Sequence, residues 1–375
     1  MTEPTLSRET STAAPVDEIR VAFWNLQNLF DVDVSPIATE LGFTPVCGWD
    51  RHSLEIRIRL LAETIRGMFD GAGPDLLGLC EIENHRLAQL LVREIGRSDY
   101  QVIQTQHPEI SGLDTALIYS DRIFDPPANP QGRSHRFNHR FPTRDVLETR
   151  LKLRSNDAEL IVMVNHWPSR RPTPQSTEPF RIAAAAYCAR LIEQCVKVSR
   201  REYVELRDNE VSLFRLNQAW DSNVLVMGDF NDNPWDASIL NGLRAGYGIE
   251  HLEESIRFVR GTLPSWKSYS ERPVWLFNPM WSLLASPDQG TTYVPDATHT
   301  MSLPDQFLIS RGLYFGHQGL KLKQRDGGRP DVRIHRPEMI SSGRGSPREY
   351  RLDTRSGYSD HFPILSTLNV LPREG

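Results

Sequence analysis

The chain has 375 residues, of which 39% are hydrophobic and 24% are charged, and its formal net charge is −5. This composition is typical of a globular protein with one large α/β domain or two average ones. The mild negative charge excludes a global basic field, so any affinity for polyanions must come from a local patch. No run approaches the 18 or so apolar residues that span a bilayer, and we therefore expect no membrane partner.

The first 17 residues are polar and contain Pro, Ser, Thr and acidic side chains. They lack the basic start and the apolar core of a signal peptide, so we predict a disordered leader over residues 1–17 and a cytoplasmic protein. The cysteines form no CxxC pair, and we expect neither a disulfide framework nor a zinc site. The four cysteines are Cys47, Cys80, Cys188 and Cys195.

In the first half of the chain, apolar runs are followed by segments with helical spacing. Residues 19–26 (IRVAFWNL) form a predicted buried strand that ends in polar residues. Residues 53–69 carry apolar side chains at helical spacing, and residues 75–80 form a second apolar strand that ends at Glu81. The next predicted elements are a helix over residues 86–95 and strands over 100–104 and 115–119.

The next segment, residues 124–143, is a predicted loop that is rich in Pro, Arg, His and Asn. Adjacent strands outnumber a simple β-α alternation and indicate mixed sheets covered by helices. No linker divides the chain, so we predict one domain over residues 18–372. The predicted strands cover residues 146–153, 159–164, 223–227, 306–309 and 363–368, and the predicted helices cover 180–196 and 204–219.

Clusters of polar residues follow six of the predicted strands. Side chains at strand ends are held by a rigid sheet, which is where well-ordered sites are built. A lone Asn after a strand is usually a turn residue and a lone Asp-His pair is usually solvated, so each cluster alone is a weak signal. The clusters are WNLQN at 24–28, CEIEN at 80–84, NHWPSRR at 165–171, GDFND at 228–232, DQ at 305–306 and SDH at 359–361.

Together, these side chains suit the hydrolysis of a phosphodiester. Mg²⁺ or Mn²⁺ prefers oxygen ligands, which Glu81, Asn25 and Asp360 can supply. The reaction also needs an activated water, charge stabilisation and protonation of the leaving oxygen. Histidine carries protons near neutral pH, and arginine binds phosphate with forked hydrogen bonds. Candidates for these roles are His166, His361, Asp229, Asn231, Arg170 and Arg171.

Seven motifs, in this order, resemble the endonuclease/exonuclease/phosphatase superfamily, whose members include the deoxyribonuclease-I-like enzymes. They are WNLQNLF, CEIEN, GLDTALIY, NHWPSRR, VMGDFND, PDQFLIS and SDHFP. The resemblance covers residues 20–368 and implies an α/β fold, a four-layered sandwich of two mixed β-sheets packed face to face with helices outside. The NHWPSRR form, followed by Glu178, Phe180 and Arg181, resembles a bacterial nuclease branch.

The resemblance implies a metal site and a catalytic water site. Glu81 is the expected main ligand of Mg²⁺ or Mn²⁺, Asn25 lies close to the metal, and Asp360 contributes to the same site. Asp229 aligns or deprotonates the attacking water, and Asn231 contacts the scissile phosphate.

It also implies the acid/base and substrate groups. His361 donates to the phosphate or acts as general base, Asp305 orients its ring, and His166 acts on the leaving oxygen. Asn28 either touches phosphate or ends the strand, and Asn165 either binds substrate or pins the neighbouring histidine. The substrate-binding set is Asn28, Asn165, Arg170 and Arg171.

Arginine-rich segments indicate how a polyanion could be held. Residues 122–150 combine arginine and histidine with interleaved Phe137 and Phe141, which suits nucleic acid but also fits a surface loop or a subunit contact. Residues 321–336 and 341–348 form two further basic stretches.

Three functions are compatible with the sequence. The favoured function is a nuclease with a nucleic acid substrate, DNA before RNA. The second is a phosphatase or phosphodiesterase of a small molecule or lipid headgroup. The third is a non-catalytic binding protein, which the complete set of site residues disfavours.

Overall fold

The computed structural model describes residues 16–33, 35–104, 113–137, 145–207, 212–253, 263–285, 290–293 and 300–372. Within these ranges the strands form two seven-stranded mixed sheets and one two-stranded ribbon. The strands are β1 (Glu18–Leu29), β2 (Leu76–Ile82), β3 (Tyr100–Ile103), β4 (Asp114–Ser120), β5 (Arg133–His135), β6 (Val146–Lys152), β7 (Glu159–His166), β8 (Asn223–Asp229), β9 (Ala245–Gly246), β10 (Leu276–Phe277), β11 (Thr292–Tyr293), β12 (Met301–Ser302), β13 (Asp305–Ile309), β14 (Leu320–Leu322), β15 (Val332–Ile334) and β16 (Ile364–Val370).

The first sheet has the order β14-β16-β1-β2-β4-β3, with β15 also paired to β16, and the second has the order β5-β6-β7-β8-β13-β10-β9. The helices lie outside the sheets. They are α1 (Pro36–Glu40), α2 (Arg51–Gly67), α3 (His85–Ile95), α4 (Pro174–Val196), α5 (Arg200–Arg207), α6 (Ser212–Trp220), α7 (Glu250–Glu253), α8 (Trp266–Ser270) and α9 (Arg311–Phe315). None of these described helices is both long and apolar enough to cross a membrane.

Three apolar clusters divide the molecule into four layers. Successive side chains of a strand point to opposite faces, so Val21 and Phe23 of β1 pack against the second sheet while Ala22 and Trp24 pack under α2 and α3. The outer face of the second sheet packs against α4 and α6. The four-layered α/β sandwich implied by the sequence is therefore confirmed.

Helix boundaries follow local capping signals. Asp50 caps α2 by accepting a hydrogen bond from Ser53 N at 2.8 Å. The helix therefore begins at Arg51, two residues before the predicted start at residue 53. Thr173 caps α4, which begins at Pro174 and is longer than the predicted helix 180–196. The predicted helix 204–219 is two helices, α5 and α6.

Two other predicted boundaries also change. The loop predicted over residues 124–143 contains the short strand β5, and its residues 138–144 lie outside the described ranges. Residues 1–15 of the predicted leader also lie outside them. Asp17 belongs to the fold, because its carbonyl accepts a hydrogen bond from Val370 N at 2.8 Å.

The sheet topology brings the polar strand ends to one edge of the sandwich. β1 is parallel to β2 and β7 is parallel to β8, so each pair ends at the same side. β13 runs antiparallel to β8 and places Asp305 opposite Asp229. Close packing at this edge requires Gly228, because a Cβ there would lie 2.3 Å from the Asn165 carbonyl oxygen. The predicted clusters on separate strands thus become neighbours.

Candidate active site

The site lies where the ends of the two sheets meet. The first sheet contributes Asn25 and Glu81, and the second contributes His166, Asp229 and Asp305. A segment of two residues, Asp360 and His361, precedes β16 and joins them. These side chains come from six segments of the chain.

Asn25 connects the two sheets through its amide. Its Nδ2 donates to Asp229 Oδ2 at 3.0 Å and to Glu81 Oε1 at 3.2 Å. Its Oδ1 accepts from Gln27 N at 2.9 Å. In this arrangement Asn25 is a neutral donor that holds two carboxylates close together, and its role as an oxygen ligand of the metal stays a prediction.

Two similar turns support the facing strand ends. One lies within β1 at residues 26–28, where the pairing with β2 is irregular, and its Gln27 N donates to the side chain of Asn25 at 2.9 Å. In the other, which follows β8, Asn231 N donates to the side chain of Asp229 at the same distance of 2.9 Å. Gln27 and Asn231 have φ values of 54° and 53°, and Glu81 has a φ of 61°. Non-glycine residues seldom adopt this left-handed region unless the surroundings impose it, and such residues cluster at functional sites.

His361 is held by a buried carboxylate. Its Nδ1 lies 2.7 Å from Asp305 Oδ2, which also accepts a hydrogen bond from the Thr291 hydroxyl. Burial disfavours the charged ring, but the charges of Asp305, Asp229 and Asp360 outweigh it and raise the pKa of His361 well above its usual value. The surrounding carboxylates therefore favour the protonated ring, and its Nε2 lies 3.9 Å from Asp229 Oδ2.

Asp229 lies in a nearly closed environment. Burial raises its pKa to about 6, and the nearby Asp305 charge acts in the same direction, whereas His361 and the donors Asn231 N and Asn25 Nδ2 lower it. A carboxylate with a pKa near neutrality can take a proton from water and release it again. His166, which is 2% exposed, has its Nε2 3.5 Å from Glu81 Oε1 and 3.8 Å from Asp229 Oδ2.

The acidic groups fit a divalent cation. Burial raises the pKa of Asp360, and the charge of the Glu81 carboxylate raises it further, whereas the charges of His361 and Arg57 lower it. Glu81 is oriented by Asn28 N, which donates to its Oε2 at 2.8 Å. Oxygen donors of this kind suit Mg²⁺ or Mn²⁺.

A second donor set consists of Asp229, Asp305 and His361, whose candidate ligand atoms lie within 4.8 Å of one another. The His361–Asp305 hydrogen bond already occupies Nδ1 and one carboxylate oxygen of this set. Glu81 and Asp360 are the other candidate oxygen donors for a cation at this end of the sheets.

The predicted substrate residues divide into two groups. Asn165 is fully buried and its Oδ1 accepts from Trp167 Nε1 at 3.2 Å, so it supports the strand end. Arg170 contacts protein partners: its Nε donates to Asn231 O at 2.8 Å, and its NH2 pairs with Asp232 at 3.0 Å and with Asp236. Arg170 thus holds the turn after β8, and the substrate roles of both residues stay predictions.

Asn28 and Arg171 remain available to a substrate. Arg171 is exposed, and its guanidinium has no ion partner within the described part of the chain. Asn28 is partly exposed and has a φ of 58°. The side chain of Asn231 donates to Trp167 O at 2.9 Å, which fixes it beside the same opening.

The structure adds supporting residues that the sequence reasoning missed. Thr291 lies in a turn-rich region that gave no motif, so its hydrogen bond to Asp305 had no sequence signal. Arg181 pairs with Asp232 at 2.7 Å while only 1% exposed. Arg57 lies on the apolar face of α2 between Leu54 and Ile58, and a charged residue at such a position is a usable signal.

The arginine-rich segments contribute less to the opening than expected. Of the stretch 321–336, Lys323 pairs with Glu18 at 2.5 Å and Arg325 pairs with Asp331 at 2.7 Å. In the stretch 122–150, His135 pairs with Glu148 at 2.8 Å, and residues 138–144 lie outside the described ranges. These pairs neutralise much of the predicted basic surface.

Solved structures share this architecture. A D. rerio TDP2 humanised by 14 mutations aligns over 94% of this chain and 99% of its own, with a TM-score of 0.51 and 15% identity. An endonuclease/exonuclease/phosphatase family protein from Bacteroides thetaiotaomicron aligns over 94% and 98%, with a TM-score of 0.50 and 14% identity. D. rerio TDP2 complexed with a single-strand DNA product aligns over 94% and 99%, with a TM-score of 0.50 and 15% identity. At these identities the likeness shows the fold.

The fold and the cluster of carboxylates and histidines define a phosphoester hydrolase of a metal-dependent type. Residues 20–370 match the sequence model described as the Endonuclease/Exonuclease/phosphatase family. The chain therefore belongs to this family, and the resemblance given by the motifs is confirmed. No curated protein matches the sequence.

Proposed function

We propose that this protein is a nuclease that hydrolyses phosphodiester bonds of DNA, or less favourably of RNA, with the aid of Mg²⁺ or Mn²⁺. The observation that carries the proposal is the position of Asp229. Its Oδ2 lies 3.0 Å from Asn25 Nδ2 and 3.9 Å from His361 Nε2, between the proposed cation side and the histidine. A water beside this carboxylate would lie next to a bound phosphate, and Asp229 itself would act as the base.

In the proposed reaction, the oxygen of water attacks phosphorus and the bond to the leaving oxygen breaks. Asp229 accepts the proton of the water, and its raised pKa makes this transfer favourable near neutral pH. His361, held as a cation by Asp305, donates to a non-bridging phosphate oxygen. His166, in its protonated form, delivers a proton to the leaving oxygen. The proton that Asp229 takes from the water then passes to His166, whose Nε2 lies 3.8 Å from Asp229 Oδ2, which restores both groups for the next cycle.

Glu81 and Asp360 would hold the cation, and the Asn25 amide keeps Glu81 oriented. A bound cation supplies charge stabilisation to the phosphate oxygens in the transition state. Asn231 and Asn28 lie at the ends of the two turns, where their amides can contact the phosphate.

Two further observations favour a polynucleotide over a small substrate. The related fold of D. rerio TDP2 binds a single-strand DNA product, which supports a nucleic acid substrate here. In addition, an exposed arginine follows the segment that supports the turn after β8. It is Arg171, the neighbour of Arg170, whose Nε donates to Asn231 O at 2.8 Å. Exposed cations at an opening attract the phosphates next to the scissile one.

The test is a panel of substrates with Mg²⁺ or Mn²⁺. The panel contains plasmid, single-stranded DNA, RNA, a generic phosphodiester, inositol phosphates and sugar phosphates. We expect DNA to be turned over with the highest kcat/KM. His361→Gln serves as the matched inactive control, because it keeps a polar side chain of similar size.

Turnover of only the phosphomonoesters would contradict the nuclease proposal and indicate a phosphatase. Activity retained in His361→Gln would point to a contaminating nuclease. Binding of DNA without turnover of any substrate would indicate a binding protein that keeps the fold.

A further inference from the structure

Arg57 is a buried arginine next to the site and no step of the proposed reaction uses it. It lies on α2 and only 1% of its surface is exposed. Arginine is seldom buried unless it is paired, because removing its charge from water is costly. Within the described residues it has no carboxylate partner at ion-pair distance, so the reason for its burial must be sought in its other contacts.

These contacts reach the turn at residues 26–28 of β1. The NH2 group of Arg57 donates to Leu26 O and to Gln27 O, the latter at 2.6 Å. The guanidinium lies 3.9 Å above the centre of the Tyr350 ring, and Tyr350 N donates to Gln27 Oε1 at 2.7 Å. Arg57 and Tyr350 therefore hold the same turn from two sides. Two of the guanidinium nitrogens, Nε and NH1, have no hydrogen-bond partner in the described structure.

This turn orients the residues of the cation side. Gln27 N donates to Asn25 Oδ1 at 2.9 Å, and Asn28 N donates to Glu81 Oε2 at 2.8 Å. Gln27, Asn28 and Glu81 have φ values of 54°, 58° and 61°, which only strong surrounding contacts maintain. The two carbonyl contacts of Arg57 fix the peptide units on which these hydrogen bonds depend.

The charge of Arg57 also acts on the site. Burial lowers the pKa of Arg57 to about 10, so the guanidinium remains a cation at neutral pH. The Asp360 and Glu81 carboxylates act on it with the opposite sign. A fixed cation near two carboxylates opposes their mutual repulsion before a metal binds, although it also repels the incoming metal.

We infer that Arg57 is a positioning residue for the divalent cation, which pins the Leu26–Gln27 carbonyls so that Asn25 and Glu81 are arranged for metal binding in advance. The inference rests on the proposed function, in which Glu81 is a ligand of the cation. Residues that orient metal ligands from behind are worth about 10- to 100-fold in metal affinity.

The test compares Arg57→Gln with Arg97→Gln by Mn²⁺ titration, using calorimetry or electron paramagnetic resonance without substrate. Arg97 is a matched control, because it also lies over an aromatic ring, 4.3 Å from the centre of Tyr100, and donates to the carbonyls of Ala72 and Pro74. It lies at the far end of the first sheet. We expect the Mn²⁺ dissociation constant to rise about tenfold or more in Arg57→Gln and to stay unchanged in Arg97→Gln.

A second readout needs no metal. Amide hydrogen exchange at residues 27 and 28 in metal-free protein should be faster in Arg57→Gln than in the wild type, and unchanged in Arg97→Gln. Arg57→Lys should retain most of the affinity, because an amine can still donate to the two carbonyls. If Arg57→Gln does not fold, Tyr350→Leu replaces it, since it leaves Arg57 in place and removes the ring beneath it. That variant should raise the dissociation constant by a smaller factor.

Unchanged Mn²⁺ affinity in folded Arg57→Gln or Tyr350→Leu would overturn the inference, and so would tighter binding, which would mean that charge repulsion outweighs positioning. Glu81→Gln separates this failure from that of the proposed function. If Glu81→Gln also binds Mn²⁺ like the wild type, the cation site itself is misassigned. If only Glu81→Gln weakens binding, Arg57 alone is misassigned.

Discussion

The two ends of the first sheet use the same kinds of side chain for opposite purposes. At the far end, before β2 and β3, Asp75 and Asp99 are surrounded by arginines. Arg20 holds Asp75 with two hydrogen bonds of 2.8 Å, and Arg97 lies 2.6 Å from Asp99. At the site end, the charge of Glu81 raises the pKa of Asp360, and among the described residues no arginine lies within ion-pair distance of either carboxylate. The difference lies in charge compensation.

The pKa values express this difference. Burial raises the pKa of Asp99, but hydrogen bonds from Arg97, Ser120 and Arg122 outweigh it and hold the pKa far below its usual range. Burial raises the pKa of Asp229 and of Asp360, and partners there do not overcome it. Compensated carboxylates stabilise the fold. Uncompensated carboxylates cost stability and leave negative charge available for a cation or a proton, which is the usual condition of a functional site.

The largest expected effect follows from removing the base. Asp229→Asn should lower kcat/KM for DNA by about 10³-fold or more, since general base catalysis and the alignment of water are lost together. The free energy of unfolding in denaturant should not fall, because a buried and uncompensated carboxylate is replaced by a neutral amide. Activity within tenfold of the wild type would remove Asp229 from the mechanism.

The next effect concerns the cation. Glu81→Gln should raise the Mg²⁺ concentration needed for half-maximal activity by about 10- to 100-fold, because one charged ligand is lost. Excess Mg²⁺ should restore part of the rate, and treatment with a chelator should abolish the activity of both proteins. An unchanged Mg²⁺ dependence would show that the cation binds elsewhere in the cleft.

At the far end of the first sheet we expect the reverse result, in which a substitution lowers stability and leaves activity unchanged. Asp99→Asn should lower the free energy of unfolding by about 2 kcal/mol, because Arg97, Arg122 and the Ser120 hydroxyl lose a charged acceptor. In the folded protein kcat/KM should stay within about twofold of the wild type, since sites this far apart act independently. Loss of activity without loss of stability would contradict the division between the two ends.

The lowered pKa of Asp99 also predicts how the free energy of unfolding depends on pH. The folded pKa of Asp99 is lowered, so its contribution is fully present above the unfolded aspartate pKa of about 4 and is lost as the pH falls towards the folded value. The stability difference between the wild type and Asp99→Asn should therefore be constant from pH 7 to pH 5 and shrink below about pH 4. A difference that does not change with pH would mean that Asp99 acts through packing.

The smallest effect on activity is expected for the exposed side chain of Arg171. Arg171→Gln should raise KM for DNA by a few-fold and reduce the salt dependence of binding by about one counterion. Turnover of a generic small phosphodiester should not change. Arg201→Gln on α5, where the side chain is 90% exposed and pairs with Glu205, is the control and should bind DNA like the wild type. Equal salt slopes in all three proteins would place Arg171 outside the path of the substrate.

The sequence by itself determined the layered fold and most members of the site. The apolar runs of β1, β2, β7 and β8 and the helical spacing of α2 are local signals, and they indicate mixed sheets covered by helices. The four-layered arrangement of two facing sheets is what the resemblance to the family implies. The strand-end clusters could be found for the same reason, since Glu81, Asp229 and His361 each follow or precede an apolar run directly.

Only the tertiary structure decided what several of these residues do. Asn25 became a bridge between carboxylates because Asp229 lies 204 positions away in the chain and 3.0 Å away in space. Arg170 donates a hydrogen bond to Asp232, which lies 62 positions later in the chain. Arg57 donates to backbone carbonyls that lie about 30 positions earlier. Hydrogen-bond partners of this kind are set by the pairing of distant strands, whereas apolar periodicity is set by neighbours in the chain. The residue types of a site can thus be read locally, but the assignment of each donor and acceptor requires the fold.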